Sequence, residues 1–116
     1  MTCKVVFHLD WNDADRMNMA LNNIFNLLKD PFAQTAQVCV LANGQAVRLF
    51  EKRSATSTQV RIAELRGKGV RFALCNNSLT GLNLGRDELV EGCEVVPAGI
   101  VELVRLQQEG FAYIKP

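Results

Sequence analysis

The sequence contains no closely paired cysteines, no long apolar run and no excess of charge of one sign. Its cysteines stand at positions 3, 39, 75 and 93, so no two have the CxxC spacing of zinc sites and thioredoxin-like centres. No apolar segment approaches the roughly 20 residues that a membrane-spanning helix needs. The first residues lack the basic start and long apolar core of a signal peptide. We therefore expect a cytoplasmic protein with free thiols.

The balance of charge does not favour nucleic acid or a membrane surface as a partner. The chain has 13 basic and 12 acidic residues, a net charge of +1, which gives no electrostatic reason to expect binding to nucleic acid or to a membrane. The 116 residues, 48% of them hydrophobic, favour one domain over residues 1–116 with a substantial core. Asp10, Asp13 and Asp15 lack the glycine and terminal glutamate of an EF-hand, and no metal site is predicted.

Apolar runs alternate with helical periodicity along the chain. We predict strands at 4–9, 37–42, 70–75, 94–96 and 111–114, and a short helix or turn at 45–51. Helices are predicted before Pro31, from a cap within 54–57 to about 66, at 79–84, and between Pro97 and Gly110. Asn12 or Asp13 is the expected cap of the first helix. In the last helix, Ile100, Leu103 and Val104 are predicted to share one face. The alternation favours an α/β fold with a mainly parallel sheet of about five strands, covered on both faces.

Parallel sheets carry their functional loops at the carboxyl ends of the strands, and one cysteine falls there. Cys75 ends a predicted strand, and the helix-capping residues Asn76, Asn77 and Ser78 follow it. A thiolate at that position would face unpaired backbone N–H groups, which lower the pKa of a cysteine and make it reactive. The alternative is a small buried hydrophobe at a strand end, a frequent role of cysteine.

Two further loops reach the same edge of the sheet. His8, the single histidine, lies near the carboxyl end of the first strand and would serve Cys75 as a base or charge partner, or else be hydrogen-bonded within the strand. Asn43 and Gly44 follow the second strand and would bring backbone close to a ligand, or form a plain turn. The candidate ligand-binding residues are Asn43, Gly44, Asn76, Asn77 and Ser78.

The other thiols are weaker candidates. Cys39 lies inside an apolar strand, which favours core packing, and Cys3 begins the first strand, where a structural or edge position is expected. Cys93 follows Gly92 in a predicted loop and is a candidate exposed second thiol, although no neighbouring residue would activate it.

Nearly the whole chain resembles the DsrE/DsrF-like sulfur-relay family, particularly its small single-domain members. The segments that carry the resemblance are 5–8 (VVFH), 20–24 (ALNNI), 42–44 (ANG), 65–69 (LRGKG), 72–78 (FALCNNS), 95–103 (VVPAGIVEL) and 107–116 (QQEGFAYIKP).

The resemblance implies a flavodoxin-like three-layer αβα sandwich, a homo-oligomer (a trimer or a hexamer of two trimers) and no metal or organic cofactor. It also implies that Cys75 accepts sulfur as a persulfide from a donor and passes it to an acceptor. The alternative within the same fold is a non-catalytic oligomeric subunit or a module that binds a small ligand or anion. A flavodoxin-type cofactor is disfavoured, because the acidic loop at 10–13 would repel a phosphate.

Overall fold

The computed structural model describes residues 2–54 and 56–116, and its strands form one sheet. The strands are β1 Lys4–Leu9, β2 Gln37–Ala42, β3 Arg71–Cys75, β4 Glu94–Val96 and β5 Ala112–Ile114. Their order across the sheet is β4-β3-β2-β1-β5, and every neighbouring pair is parallel. The predicted parallel sheet of about five strands is confirmed.

Helices cover both faces of this sheet. They are α1 Ala14–Lys29, α2 Thr56–Gly67, α3 Asn76–Gly81 and α4 Gly99–Gln108, with short 3₁₀ segments at Pro31–Ala33, Gly44–Phe50 and Arg86–Glu88. Helices α1 and α2 pack on one face and α4 on the other, which gives the expected three layers. Within the described part of the chain, no helix is long and apolar enough to cross a membrane.

Two apolar clusters, one on each face of the sheet, form the core. The larger cluster joins residues such as Phe7, Val40 and Phe72 to the buried stripe of α1, including Leu21 and Ile24. The smaller cluster consists of Val6, Cys39, Leu41, Ala73, Leu103, Leu106 and Phe111. Because side chains on both faces are buried, the central strands are apolar throughout rather than alternating. Cys39 is fully buried here, as predicted.

Helix α1 is capped by the second of its two candidate residues. The Asp13 carboxylate accepts hydrogen bonds from the backbone N–H groups of Asp15 and Arg16, at 3.0 and 3.2 Å. These bonds satisfy two of the donors that the first turn of a helix leaves unpaired. Asp30, just before Pro31, ends the helix.

The predicted start of α3 was wrong by three residues. The helix begins at Asn76 rather than Leu79, so Cys75 itself is the N-cap residue and Ser78 lies in the first turn. The helix ends at Gly81 with Leu82 as its C-cap residue, and Asn83 follows with a φ of 56°. Asparagine tolerates this left-handed conformation, so it ends the helix before Gly85 is reached.

The predicted apolar face of α4 was right for Leu103 and wrong for Ile100 and Val104. Leu103 and Leu106 face the sheet, whereas Ile100 and Val104 are 64% and 47% exposed. The rotation follows from Gly99 and Glu102, which lie on the sheet side of the same helix and are buried. The carboxylate of Glu102 pairs there with Arg71 and Arg105, at 3.3 and 2.5 Å, and fixes α4 against β3.

Candidate functional site

The carboxyl ends of β1, β2 and β3 bring the three predicted loops to one edge of the sheet. In the strand register, His8 pairs with Leu41, and Leu41 pairs with Ala73. Asn43 and Cys75 each follow two residues later. Because side chains alternate between faces along a strand, His8, Asn43 and Cys75 all lie on the face that α4 covers. This face at the edge of the sheet is the candidate site.

Cys75 lies at the junction of β3 and α3 and is 5% exposed. Burial raises the pKa of its thiol, but the Ser78 hydroxyl and the N–H groups of Gly99, Ser78 and Asn77 have the opposite effect. Together these donors outweigh burial, so the pKa of Cys75 lies below the ordinary value for a cysteine. The donors therefore favour the thiolate, the better acceptor, over the neutral thiol.

The Asn43–Gly44 turn orients Ser78 for this role. The N–H of Gly44 donates to Ser78 Oγ at 2.7 Å, which leaves the hydroxyl proton of Ser78 free to be donated to the sulfur. Gly44 has a φ of 59°, and a Cβ on it would lie 3.2 Å from the carbonyl oxygen of Asp10. Glycine fits this position because it accepts the conformation and the close contact.

The start of α4 completes the surroundings of the sulfur. A Cβ on Gly99 would lie 3.1 Å from Asn43 Cβ and 3.2 Å from Cys75 Cβ. The missing side chain lets the helix backbone approach both strands and brings the Gly99 N–H to Cys75. Sequence reasoning missed this residue. The signal was a glycine in the first turn of a predicted helix, where it costs stability unless close packing requires it.

His8 is hydrogen-bonded to two residues other than Cys75. Its Nε2 lies 2.7 Å from Asn43 Oδ1, and its Nδ1 pairs with the Tyr113 hydroxyl. Because both ring nitrogens are occupied, transfer of a proton from Cys75 to His8 would first require one of these bonds to break. Tyr113 lies on β5, which pairs with β1. Sequence reasoning missed it, since no local pattern shows that the last strand lies beside the first.

The other predicted site residues and thiols differ in how close they lie to the Cys75 sulfur and in how buried they are. The backbone N–H of Asn77 faces the sulfur, but its side chain is exposed, and Asn76 is half-buried in the first turn of α3. Cys93 is half-buried against the core rather than exposed, and burial raises its pKa to about 11. Burial likewise raises the pKa of Cys39 to about 12. Of Cys39, Cys75 and Cys93, it is Cys75 whose surroundings favour ionisation.

A shallow groove of about 400 Å³ adjoins the site. Ser78 and Gly44 line it together with Trp11, which is 62% exposed, and Leu82. Asp10, also in its lining, is paired with Lys115. A larger groove of about 810 Å³ lies between α1 and β5 and contains none of the predicted site residues. In residues 2–54 and 56–116, no cluster of three or more His, Cys, Asp or Glu side chains is arranged to hold a metal ion.

Comparisons with known proteins agree with this architecture. The model of the DsrE/DsrF-like family matches residues 4–116. The structure of MTH1491 from Methanobacterium thermoautotrophicum, a protein described as of unknown function, superimposes with a TM-score of 0.90. It is 36% identical, over 98% of this chain and 99% of that one.

Two more distant structures share the fold. The ychN protein from E. coli gives a TM-score of 0.79 at 15% identity, over 100% of both chains. BT1422 from Bacteroides thetaiotaomicron, described as a conserved protein of unknown function, gives 0.77 at 17% identity, over 97% of this chain and 94% of that one. No curated protein matches the sequence.

Proposed function

Because the chain belongs to the DsrE/DsrF-like family, we propose that it carries sulfur as a persulfide on Cys75. The Cys75 thiolate attacks the outer sulfur of a donor persulfide, R–S–SH. A bond forms between Cys75 Sγ and that sulfur, while the donor's S–S bond breaks and its electron pair leaves with R–S⁻. An acceptor thiolate then attacks the terminal sulfur and regenerates the Cys75 thiolate. Neither step needs an external oxidant or reductant.

The observation that carries this proposal is the set of donors around Cys75. The Ser78 hydroxyl and three backbone N–H groups favour the thiolate, and the thiolate is the form that attacks sulfur. The groove beside Ser78 gives a donor or acceptor a path to this edge of the sheet. A cytoplasmic location suits such a carrier, because a reducing compartment keeps its thiols unpaired.

Incubation with a persulfide donor is expected to add one sulfur atom to the chain, and to place it on Cys75. Trypsin separates the relevant thiols, because the peptide ending at Arg86 contains Cys75 and the peptide ending at Arg105 contains Cys93. Mass spectrometry after alkylation should find the added sulfur in the first peptide. The second peptide, from the same digest, is the internal control. Added sulfur spread equally over both peptides would contradict a site at Cys75.

A second candidate function rests on the burial of Cys75. A thiol that is 5% exposed also suits a non-catalytic subunit, or a module whose edge loops bind a small ligand or anion. The two functions differ in the rate at which iodoacetamide modifies Cys75 at pH 7. A carrier should be modified faster at Cys75 than at Cys93 and Cys39, whereas slow modification of all three favours the non-catalytic function.

We also propose that the protein is a homo-oligomer, a trimer or a hexamer, and that α4 forms its interface. Ile100, Val101 and Val104, here called the α4 patch, are 64%, 63% and 47% exposed and lie on one side of the helix. Exposed apolar residues grouped in this way are typical of protein interfaces. The patch begins one residue after Gly99, so a neighbouring subunit would lie beside Cys75.

The double substitution Ile100→Glu and Val104→Glu is expected to convert the oligomer to monomers, because it would bury two carboxylates without partners. Sedimentation velocity measures the change in mass. Val60→Glu is the matched control, since Val60 is 58% exposed but lies on α2, on the other side of the sheet. A double variant with the native oligomeric mass would rule out the α4 patch as the interface.

A further inference from the structure

A hydrogen-bonded chain of three side chains crosses the edge of the sheet beside Cys75. The Tyr113 hydroxyl on β5 pairs with His8 Nδ1 on β1, and His8 Nε2 pairs with Asn43 Oδ1 at the end of β2. Since the amide oxygen only accepts, His8 Nε2 carries the proton and donates it. Its Nδ1 is then an acceptor, and the Tyr113 hydroxyl donates to it. Every link in the chain thus has a defined direction.

The chain ends next to the reactive sulfur. Asn43 Cβ and Cys75 Cβ both lie within 3.2 Å of the point that a Cβ on Gly99 would occupy. Strand β2 lies between β1 and β3. Because His8 on β1 donates to the oxygen of the Asn43 amide, the Nδ2 group of that amide is left for a different partner. Nδ2 has two protons to donate, and His8, itself the donor in this bond, uses neither of them.

A persulfide needs a donor that the free thiolate does not need. The Ser78 hydroxyl and the N–H groups of Gly99, Ser78 and Asn77 surround Cys75 Sγ. The terminal sulfur of a persulfide stands about 2.05 Å further out along the new S–S bond. The negative charge moves to that atom, beyond the groups arranged around Sγ. The Asn43 amide, whose Cβ lies near Cys75 Cβ beside Gly99, is a candidate for that donor.

We propose that Asn43 Nδ2 donates a hydrogen bond to the terminal sulfur of the Cys75 persulfide, and that His8 and Tyr113 are positioning residues that hold the amide in this orientation. The inference rests on the proposed function and adds a binding group for the transferred sulfur. It gives His8 a role that does not require a proton from Cys75. It also explains why Asn43 and Tyr113, which are 70 residues apart in the sequence, both form hydrogen bonds with His8.

The test measures the pH at which persulfidated Cys75 is half-maximally reactive toward iodoacetamide. Asn43→Asp keeps the shape of the side chain and an oxygen for His8, but it has no N–H to donate, and its negative charge also raises the midpoint. The midpoint of this variant is expected to rise by at least about one pH unit, because a hydrogen bond to a charged group is lost. At a pH below the midpoint, this rise means a tenfold smaller fraction of the persulfide anion. Asn43→Ala should give a similar rise. Asn23→Ala, which removes an exposed amide from α1 on the opposite face of the sheet, should leave the midpoint unchanged.

The roles of His8 and Tyr113 as positioning residues are tested by substitutions that should raise the midpoint in part, and by one that should restore it. His8→Ala should raise the midpoint by less than Asn43→Asp, and Tyr113→Phe by less again, because the Asn43 amide remains but is free to turn. His8→Gln, whose amide N–H can replace Nε2–H, should restore most of the native value. A merely structural role for His8 would change the unfolding free energy without moving this midpoint, and that result would overturn the positioning role.

The order of measurements separates this inference from the proposed function. Sulfur loading of the native chain is measured first, and failure to load Cys75 would overturn both proposals. Normal loading with an unmoved midpoint in both Asn43→Asp and Asn43→Ala would overturn the Asn43 assignment alone. Circular dichroism of each variant confirms that it is folded, and Asn43→Leu, which is neutral and has the shape of asparagine, replaces the Ala variant should that variant fail to fold.

Discussion

Cys75→Ser is expected to take up no sulfur from a persulfide donor at pH 7, whereas Cys93→Ser takes up as much as the native chain. Serine keeps the size and the hydrogen-bonding positions of the side chain but has no thiolate to attack the donor. The fold should survive, because Cys75 lies at a strand end among polar donors and not in the middle of either apolar cluster. The loss is thus expected to be complete and chemical in origin.

Cys93 and Cys39 are almost entirely protonated at pH 7, so they are poor replacements for Cys75. With a pKa of about 11, Cys93 is ionised in about one molecule in 10,000 at pH 7, and Cys39, with a pKa of about 12, in about one in 100,000. Cys39 is also closed to solvent between β1, β3 and α4. Burial raises both values because it penalises the charged thiolate. At Cys75, by contrast, nearby donors outweigh burial and lower the pKa of the thiol.

Sulfur uptake is measured as mass added to the intact chain, with Cys93→Ser as the matched control. The pH dependence of alkylation gives a second measurement on the native chain: the midpoint for Cys75 should lie below that of a free cysteine, and the midpoint for Cys93 near 11. Uptake by Cys75→Ser equal to that of the native chain would show that sulfur loads elsewhere, and the proposed carrier function would then be wrong.

The place of Cys75 in the fold could be predicted from the sequence, but most of its chemical surroundings could not. The apolar run before Cys75 and the polar residues after it are local features, and they correctly indicated a strand end followed by a helix. The Gly44 N–H, the Gly99 N–H and the Tyr113 hydroxyl reach the site from three other segments. Their arrival depends on the order of the strands and the packing of α4, which local periodicity does not encode.

The orientation of helix α4 on the sheet could not be predicted from its hydrophobic pattern. Its sequence offers two apolar stripes, one with Gly99, Leu103 and Leu106 and the other with Ile100 and Val104, and periodicity alone does not choose between them. The choice depends on two residues that a hydrophobic pattern ignores. Gly99 permits the close approach to Cys75, and the Glu102 carboxylate reaches Arg71 only when the first stripe faces the sheet.

Gly99→Val is expected to destabilise the protein by about 2–3 kcal/mol, the cost of forcing extra methyl groups into a packed interior. The first added atom would lie 3.1 Å from Asn43 Cβ, 3.2 Å from Cys75 Cβ and 3.2 Å from Leu41 Cδ1. Two of these neighbours are Cβ atoms fixed to the backbone of central strands, so the helix must move instead. Valine adds two further methyl groups to the same contact. The cost of this overpacking exceeds the gain of up to about 1 kcal/mol from removing a glycine from a helix.

The same movement should reduce the reactivity of Cys75. As α4 moves outward, the Gly99 N–H leaves the sulfur, and the alkylation midpoint of Cys75 should rise toward that of an ordinary cysteine. Urea denaturation measures the first effect and alkylation against pH the second. Gly67→Val is the matched control, because a Cβ at Gly67 would meet nothing within 4 Å, and it should leave both quantities nearly unchanged. If Gly99→Val lost stability while keeping the native midpoint, the start of α4 would support the fold without contributing to the ionisation of Cys75.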